Sequence, residues 1–418
     1  MEAGDRIVRI GRARASRYAL SREIARAGRR WPLYRLNAQA QAELLGELRA
    51  LHGDGFHFEP ARSLPAFLHG EFTNGLFPGL PWFLDDQRPQ GFLGRAFARR
   101  VASDIGASPD LLRWQPDDVV LALLRHGDDA PGDLILGEAA LQQALQETMS
   151  PSNSLVPETR VESYPSLADA ALRGEIVGSS AGGEQPKFTA LLRGPDGYES
   201  VIVKFSERGD APAARRWADL LLCERIAGDV LRTHGQPAAQ GEILHADGRT
   251  FLQSGRFDRT PMLGRRGFVS LAALDAAFYG HGRIDWWRFA PQLQRDRWID
   301  GESARQLRVL GWFGALIGNT DMHLGNAGLL LTDERPLALA PAYDMLPMAF
   351  RPAVTGEVVE RQYAVTLPTP EQRDDWHAAA LMAHEFWKQV EQADSMSNEF
   401  RGIAGRAIGS LAHAMRRI

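Results

Sequence analysis

GNTDMHLGN (318–326) and APAYDMLP (340–347) are the two stretches on which the fold turns. Between Asn326 and Asp344 lies AGLLLTDERPLALAPAY, two apolar runs around a turn at Thr332–Pro336, which reads as a β-hairpin. A hairpin returns its end to its beginning, so Asn326 and Asp344 are expected side by side, with Asp321 close by. An amide oxygen and a carboxylate so placed suit Mg²⁺, a hard cation that takes oxygen ligands. Asp321 can orient a hydroxyl and take its proton, which is what phosphoryl transfer requires. Each residue also has an ordinary reading: Asp321 as a loop residue bonding its own backbone, Asn326 as a strand-start cap, Asp344 as an Asx-turn. The joint reading is preferred because one hairpin gathers all three. Mg²⁺ prefers oxygen to imidazole, so His323, inside the same loop, is assigned to orienting it at the edge of the cofactor site.

Upstream of this pair, VIVKF (201–205) is an apolar strand ending in Lys204. The helix that follows carries Trp217, Leu220, Leu221, Ala227, Gly228 and Leu231 on one face, with Glu224 among them. An unpaired buried carboxylate costs several kcal/mol, so Glu224 needs a cation, and Lys204 is the natural one. Kinases place such a lysine against ATP phosphates, and Asp321 and Asn326 keep the Asp-x-x-x-x-Asn spacing of their catalytic loop. GSSAGGEQPKF (178–188) sets three glycines and two serines before a strand, a composition whose backbone N–H groups can wrap a polyphosphate. Ser179, Ser180, Gly182, Gly183, Gln185 and Lys187 are its candidate nucleotide contacts. It is not a Walker A loop, and an ordinary Gly-rich turn is the alternative. QSGRFDR (253–259) connects the two lobes, and its backbone at Gln253 and Ser254 is a candidate adenine contact. Arg256, Asp258 and Arg259 read instead as a local ion-pair network.

Composition sets the bounds. The 418 residues imply two or three domains, and 44% hydrophobic residues can build real cores. No apolar run approaches the roughly 20 residues needed to span a bilayer, so no membrane partner is expected. The single cysteine, Cys223, excludes an intrachain disulfide and fits a reducing, cytoplasmic setting. Net charge is −4, yet residues 1–35 hold ten arginines against Glu2, Asp5 and Glu23, a local +7. Only three lysines occur among 48 basic residues, and two of them, Lys187 and Lys204, fall in the motifs above. Arginine serves elsewhere, so these positions call for a compact ammonium.

Along the chain, residues 6–20 read as two short strands around a basic turn. Residues 37–51 read as a helix with Leu44, Leu45, Leu48 and Leu51 on one face. Residues 56–95 are irregular but ordered, because their aromatics need burial. Helices are expected near 95–105 and 116–126, and SPSNSLVPETR (150–160) marks a boundary. Strands follow at 187–192 and 199–205, joined by a turn at Gly194–Gly197. A helix starts near Pro212 with Asp210 as its cap. Strands at 240–245 and 249–254 come next, then a mostly helical region from 270. A long helix near 302–317 stops at Gly318.

Taken in order, SAGGEQPK (180–187), VIVKF (201–205), GRFDR (255–259), GNTDMHLGN (318–326) and PAYDMLP (341–347) resemble the HipA family, kinase-like toxins of bacterial toxin–antitoxin systems. The SSAGGEQPKF form is most similar to the YjjJ-like subgroup. The resemblance implies an α+β, two-lobed, protein-kinase-like fold, with a small β-rich lobe, a larger helical lobe and an N-terminal domain. The implied division is a basic winged-helix-like remnant at 1–36, an N-terminal domain at 37–155, a small lobe at 156–255 and a large lobe at 256–418. It further implies an ATP- and Mg²⁺-dependent serine/threonine kinase acting on a protein, in some members an aminoacyl-tRNA synthetase, so a translation factor is a candidate substrate. In that scheme Lys204 meets ATP phosphates, Asp321 is the catalytic base, Asn326 and Asp344 hold Mg²⁺, and Ser180 is an autophosphorylation site. An antitoxin partner belongs to the same picture. One departure stands out: the family loop commonly has lysine before the metal asparagine, and here that residue is Gly325. IVRIGRARASRYAL resembles the wing of a winged-helix domain without its recognition helix. A weak, salt-sensitive DNA contact is expected from it. Two other functions compete: a Mg²⁺-dependent nuclease using the same oxygens, which leaves the Gly-rich loop without purpose, and a catalytically weak ATP-binding regulator, which Gly325 favours.

Overall fold

The structure, a computed structural model, describes residues 7–10, 17–25, 27–63, 73–175 and 183–418. Strands β1 (Ile7–Ile10) and β2 (Arg17–Leu20) pair antiparallel as the expected hairpin, with Val8 and Ile10 buried against Leu51. The connecting basic turn lies outside the described residues. Next come β3 (Arg30–Leu36), β4 (Ala42–Ala50), β5 (Phe56–Pro60) and β6 (Leu76–Phe77). After a 3₁₀ turn at Trp82–Gln87 follow helices α1 (Gly91–Ile105) and α2 (Pro116–His126), strand β7 (Leu134–Leu136) and helix α3 (Glu138–Met149). The strands form one antiparallel sheet in the order β6-β5-β4-β3-β7. Residues 30–36 therefore lie in this sheet, paired with β4 throughout and with β7 at Leu33–Arg35.

The helix expected at 37–51 is the strand β4, and its bulge explains the misreading. The register with β3 slips at Leu33/Tyr34, so that Leu33 faces Gly46 and Tyr34 faces Leu44. The extra residue, Leu45, turns inward, as Leu48 and Ala50 do after it, while Leu44 is left exposed. A bulge thus puts leucines three apart on one face, imitating helical spacing. Among the described residues of 56–95, Phe56, Phe58, Phe77, Trp82 and Phe83 are buried, as an ordered segment demands. Trp82 meets Phe278 and Trp298 at ring distances of 5.5 and 5.7 Å, so this segment and the C-terminal helices share one core.

Helix α4 (Arg160–Arg173) was not legible, because Pro165 sits inside it. Strands β8 (Lys187–Gly194) and β9 (Gly197–Phe205), helix α5 (Pro212–Thr233) and strands β10 (Gly241–Ala246) and β11 (Arg249–Gly255) complete the small lobe. Its sheet runs β10-β11-β9-β8, all antiparallel, over a core of Tyr164, Phe188, Val203, Phe205 and Phe251. The cap of α5 is Ala211 and not Asp210, which makes no capping bond. Pro212 takes the first helical position, so the capping place falls one residue later than the nearest polar side chain.

The large lobe starts with β12 (Gly267–Ser270), α6 (Leu271–Phe278), α7 (Trp286–Arg295) and α8 (Gly301–Leu316). Gly318, with φ +78°, turns the chain out of α8 as expected. Strands β13 (Gly328–Leu331) and β14 (Ala338–Leu339) pair as the anticipated hairpin, extended on its other side by β12. Helices α9 (Arg373–Gln392) and α10 (Asn398–Met415) close the chain around Trp312, Trp376 and Trp387, all fully buried. The result is α+β and two-lobed, with a cleft between β8–β11 and the β12–β14 sheet.

Candidate functional site

Strand alternation builds the first wall of the cleft. In β9, Val201, Val203 and Phe205 enter the small-lobe core, which turns Ile202 and Lys204 the other way. Both line a cavity of about 380 Å³ between the lobes. Lys187, at the start of β8, stands directly across the ladder from Lys204 and lines the same cavity. From α5, Glu224 reaches Lys204 Nζ with Oε1 at 2.5 Å. From the large lobe, the Asp344 carboxylate pairs with the same ammonium. Lys204 therefore joins the lobes, held between two carboxylates.

The second wall is the loop and hairpin. Asp344 has φ +55°, a left-handed conformation that Asp tolerates better than most residues, and its carbonyl accepts from Asn319 Nδ2 at 3.0 Å. Tyr343 OH donates to the Gly325 carbonyl at 2.8 Å, tying the end of the hairpin to its beginning. Asn326 Nδ2 donates to the Asp321 carbonyl at 2.8 Å, which leaves its Oδ1 as the end able to accept or coordinate. His323 Nδ1 accepts the Gly325 N–H at 3.1 Å and shapes the loop. A Cβ on Gly325 would stand 2.9 Å from that nitrogen, so the imidazole occupies the space a lysine stem would need. Asn326 and Asp344 both line the cavity. Asp321 is exposed beside it and does not line it.

Burial and charge set the protonation states. Burial alone would raise Asp344, but Lys204 and Lys187 outweigh it and hold the carboxyl below its usual range. Burial raises Glu224 despite Lys204, and its Oε2 is buried with no hydrogen-bond partner among the described residues. Lys204 is held charged: the two carboxylates, Asp344 first, outweigh the loss of water. Lys187 goes the other way, pushed down to about 8 by burial, with Lys204 adding to the effect and Asp344 opposing it.

Other expected contacts divide. Gly183, Lys187, Ser254 and His323 line the cavity. Ser179, Ser180 and Gly182 lie outside the described residues. Gln185 does not line it, and its Nε2 is buried without a partner among the described residues. Gln253 is a correction: its side chain faces α4, accepting from Tyr164 OH at 2.6 Å and Arg160 Nη1 at 3.0 Å. Alternation along β11 sends Ser254 to the cavity and Gln253 behind the sheet. Its backbone lies in a strand paired on both sides.

Arg256, Asp258 and Arg259 form the ion-pair network expected of them. Asp258 binds Arg256 at 2.9 Å and Arg259 at 2.7 Å, and Asp129 binds both arginines at 2.7 and 2.9 Å. Asp258 also accepts the Gly132 N–H at 3.0 Å, so the network fastens the N-terminal region to the connection between lobes. Burial opposes ionisation of Asp258, and the two arginines reverse it, leaving the carboxyl far below its ordinary range. Sequence reasoning missed Asp85, Asp86, Arg88 and Gln90, which also line the cavity. No local pattern marks them, since their place depends on how the N-terminal region docks. Phe257 and Tyr343 stack at 5.8 Å and 24° on the cavity wall, an aromatic surface of the kind a planar base needs.

The oxygen donors fit a divalent cation. Asn326 Oδ1 and the Asp344 carboxylate are oxygens of the type that would hold Mg²⁺, which is commonly bound by one or two carboxylates completed by phosphate and water. Among the described residues no group of three or more His, Cys, Asp or Glu side chains is gathered for a metal.

Comparison with known proteins agrees with this architecture. Residues 27–145 match the YjjJ-like toxin middle domain, and residues 179–411 match the HipA-like C-terminal domain. Toxin YjjJ of Escherichia coli (strain K12) is 36% identical over 401 residues, covering 96% of this chain and 88% of that protein. The putative kinase Y4dM of Sinorhizobium fredii is 29% identical over 297 residues, covering 66% of this chain and 64% of that protein. Among solved structures, the Shewanella oneidensis MR-1 toxin–antitoxin complex of HipA, HipB and operator DNA matches with a TM-score of 0.57. The match covers 93% of this chain and 97% of that one at 16% identity, which establishes the shared fold.

Proposed function

The chain belongs to the HipA-like toxin kinase family, in its YjjJ-like branch, and on that premise we propose that it is an ATP- and Mg²⁺-dependent protein serine/threonine kinase. The observation that carries the proposal is Lys204, buried between Glu224 of the small lobe and Asp344 of the large lobe, in a cavity that Asn326 also lines. Phosphoryl transfer to protein needs this set: a cation on the phosphates, a carboxylate holding that cation, and two oxygens for a metal.

In this reading Lys204 and Lys187 meet the polyphosphate, with the backbone of Ser179, Ser180, Gly182 and Gly183 around it. Phe257 and Tyr343 offer the base a surface. Asn326 and Asp344 would hold Mg²⁺, which neutralises charge on the phosphates. Asp321 stands exposed beside the cavity, where an incoming protein can reach it. The acceptor hydroxyl attacks the γ-phosphorus, its proton passes to Asp321, and the bond to ADP breaks. Ser180 is proposed as a site of self-phosphorylation, whose charge of about −2 would then oppose ATP in the same loop. The proposal includes an antitoxin partner, a weak DNA contact through the arginine-rich N-terminus, and the division of the chain into an N-terminal domain, small lobe and large lobe. No helix among the described residues is long and apolar enough to cross a membrane.

Incubation with Mg-ATP followed by intact-mass analysis is expected to show added phosphate, at Ser180 or its neighbours. Phosphoproteomes of cells expressing wild type and Asp321→Asn should differ at serine or threonine of at least one cellular protein. Indistinguishable phosphoproteomes, with no phosphate on the chain itself, would refute the kinase reading. Gly325 keeps a second reading alive, an ATP-binding regulator with little turnover. Thermal stabilisation by Mg-ATP without phosphate transfer would be its signature.

A further inference from the structure

Residues 86–95 run along one side of the cavity and touch both lobes. On the large-lobe side, Asp86 accepts the Ser270 N–H at 2.7 Å, at the entry to α6. On the small-lobe side, the Phe92 N–H donates to the Gly183 carbonyl at 3.0 Å, and the Phe92 ring packs on the small-lobe core. Arg95 pairs with Glu184 at 2.6 Å. Between these anchors, Asp86, Arg88 and Gln90 line the cavity itself.

The approach at Gly91 is the closest part of this contact. Its φ is +65°, and a Cβ built there would lie 2.4 Å from the Gly183 oxygen and 2.7 Å from its nitrogen. Backbone therefore lies on backbone, at a residue just four positions before Lys187. Simple packing between domains does not require two backbones to meet at the Gly-rich loop, nor a charged pair aimed at its next residue.

We propose that Asp86–Arg95 is a positioning strap, through which the N-terminal domain fixes the Gly183–Lys187 end of the Gly-rich loop over the cavity and so sets its affinity for nucleotide phosphates. This rests on the reading of the cavity as a nucleotide site. The strap acts on phosphates and not on the base, because its small-lobe contacts at Gly183 and Glu184 are with the Gly-rich loop. Loosening it should weaken ATP and leave adenosine alone, a split that a loss of general stability would not produce.

The test measures binding of Mg-ATP and of adenosine by calorimetry to wild type, Arg95→Glu, Glu184→Arg and the double exchange. Both side chains are partly exposed, so the exchanges are compatible with folding. Each single exchange is expected to weaken ATP about three- to ten-fold, combining loss of an exposed pair with like-charge repulsion. Adenosine should be unaffected, and the double exchange should recover ATP binding to within about two-fold of wild type. Gly91→Ala, which forces the backbones apart, should lose more than either. ATP affinity unchanged in both single exchanges, equal losses for ATP and adenosine, or no recovery in the double exchange would overturn the strap while leaving the nucleotide site intact. Wild type binding neither compound would remove the nucleotide reading and the strap with it.

Discussion

Replacing Lys187 with methionine should stabilise the protein without nucleotide at neutral pH while weakening its grip on ATP. Lys187 is 3% exposed and faces Lys204 across the strand pair, so its ammonium has lost water and gained a like-charged neighbour. Asp344 offsets part of this, leaving the group at about 8 against an ordinary 10.5. At about 1.4 kcal/mol per tenfold, that difference corresponds to roughly 3 kcal/mol of cost in the charged form. The sign follows from proton binding: below about 8 both folded and unfolded chains are protonated, and the cost is full. Between about 8 and 10.5 the folded chain releases its proton first, so wild type gains on the variant as pH rises. Lys187→Met keeps the side-chain volume and should therefore raise the urea midpoint at pH 7, with the gap closing by pH 10. Unfolding followed by tryptophan fluorescence at several pH values measures it. A variant less stable than wild type at pH 7, or a gap that ignores pH, would refute the argument. Polyphosphate should also draw the proton back, so ATP binding near pH 8 is expected to take up protons, visible as a buffer-dependent heat.

Lys204→Met leaves Glu224 and Asp344 facing each other in a buried site, so it should destabilise by about 3–5 kcal/mol in thermal melts. Adding Glu224→Gln should recover part of that loss. Asp321→Asn alters an exposed side chain outside the cavity, so melting and ATP affinity should hold while phosphoryl transfer falls by about 10²–10⁴-fold. Asp258→Asn removes the shared carboxylate between Arg256 and Arg259, at a cost of roughly 3–5 kcal/mol, and should open the N-terminal region to limited proteolysis before the lobes. Gly325→Lys must displace the His323 ring, a movable neighbour, and should raise ATP affinity most clearly in the Lys187→Met background.

The parts of the cleft's geometry legible in the sequence were those fixed by short-range rules. Alternation along VIVKF sends Lys204 away from the side chains that fill the small-lobe core, and a two-strand hairpin returns Asp344 to Asn326. The same rule, applied to β11, would have sent Gln253 behind the sheet and only Ser254 into the cavity. The β4 error has a physical source, since a bulge at Leu45 reproduces the three-residue leucine spacing of a helix. Asp85, Asp86, Arg88 and Gln90 were beyond reach for a different reason. They belong to a segment whose position is decided by Trp82 packing on Phe278 and Trp298, 196 and 216 residues away, and no local pattern encodes such a contact.

The distribution of positive charge in the cleft ties these observations together. Family likeness places a lysine where this chain has Gly325, and the His323 ring now fills that space. The lysines acting on Asp344 are Lys204 and Lys187, both on small-lobe strands and both buried. They balance Glu224 and Asp344, so the cluster is close to neutral until a polyphosphate enters. On the proposed function, a phosphate site whose lysines come from one lobe would depend on how that lobe is held against Asn326 and Asp344 of the other. Lys204 holds it from within through its two carboxylates, and residues 86–95 hold it from outside through Ser270 and Gly183. On the strap proposal, glycine at 325 and a hold on the small lobe by residues 86–95 belong to one arrangement.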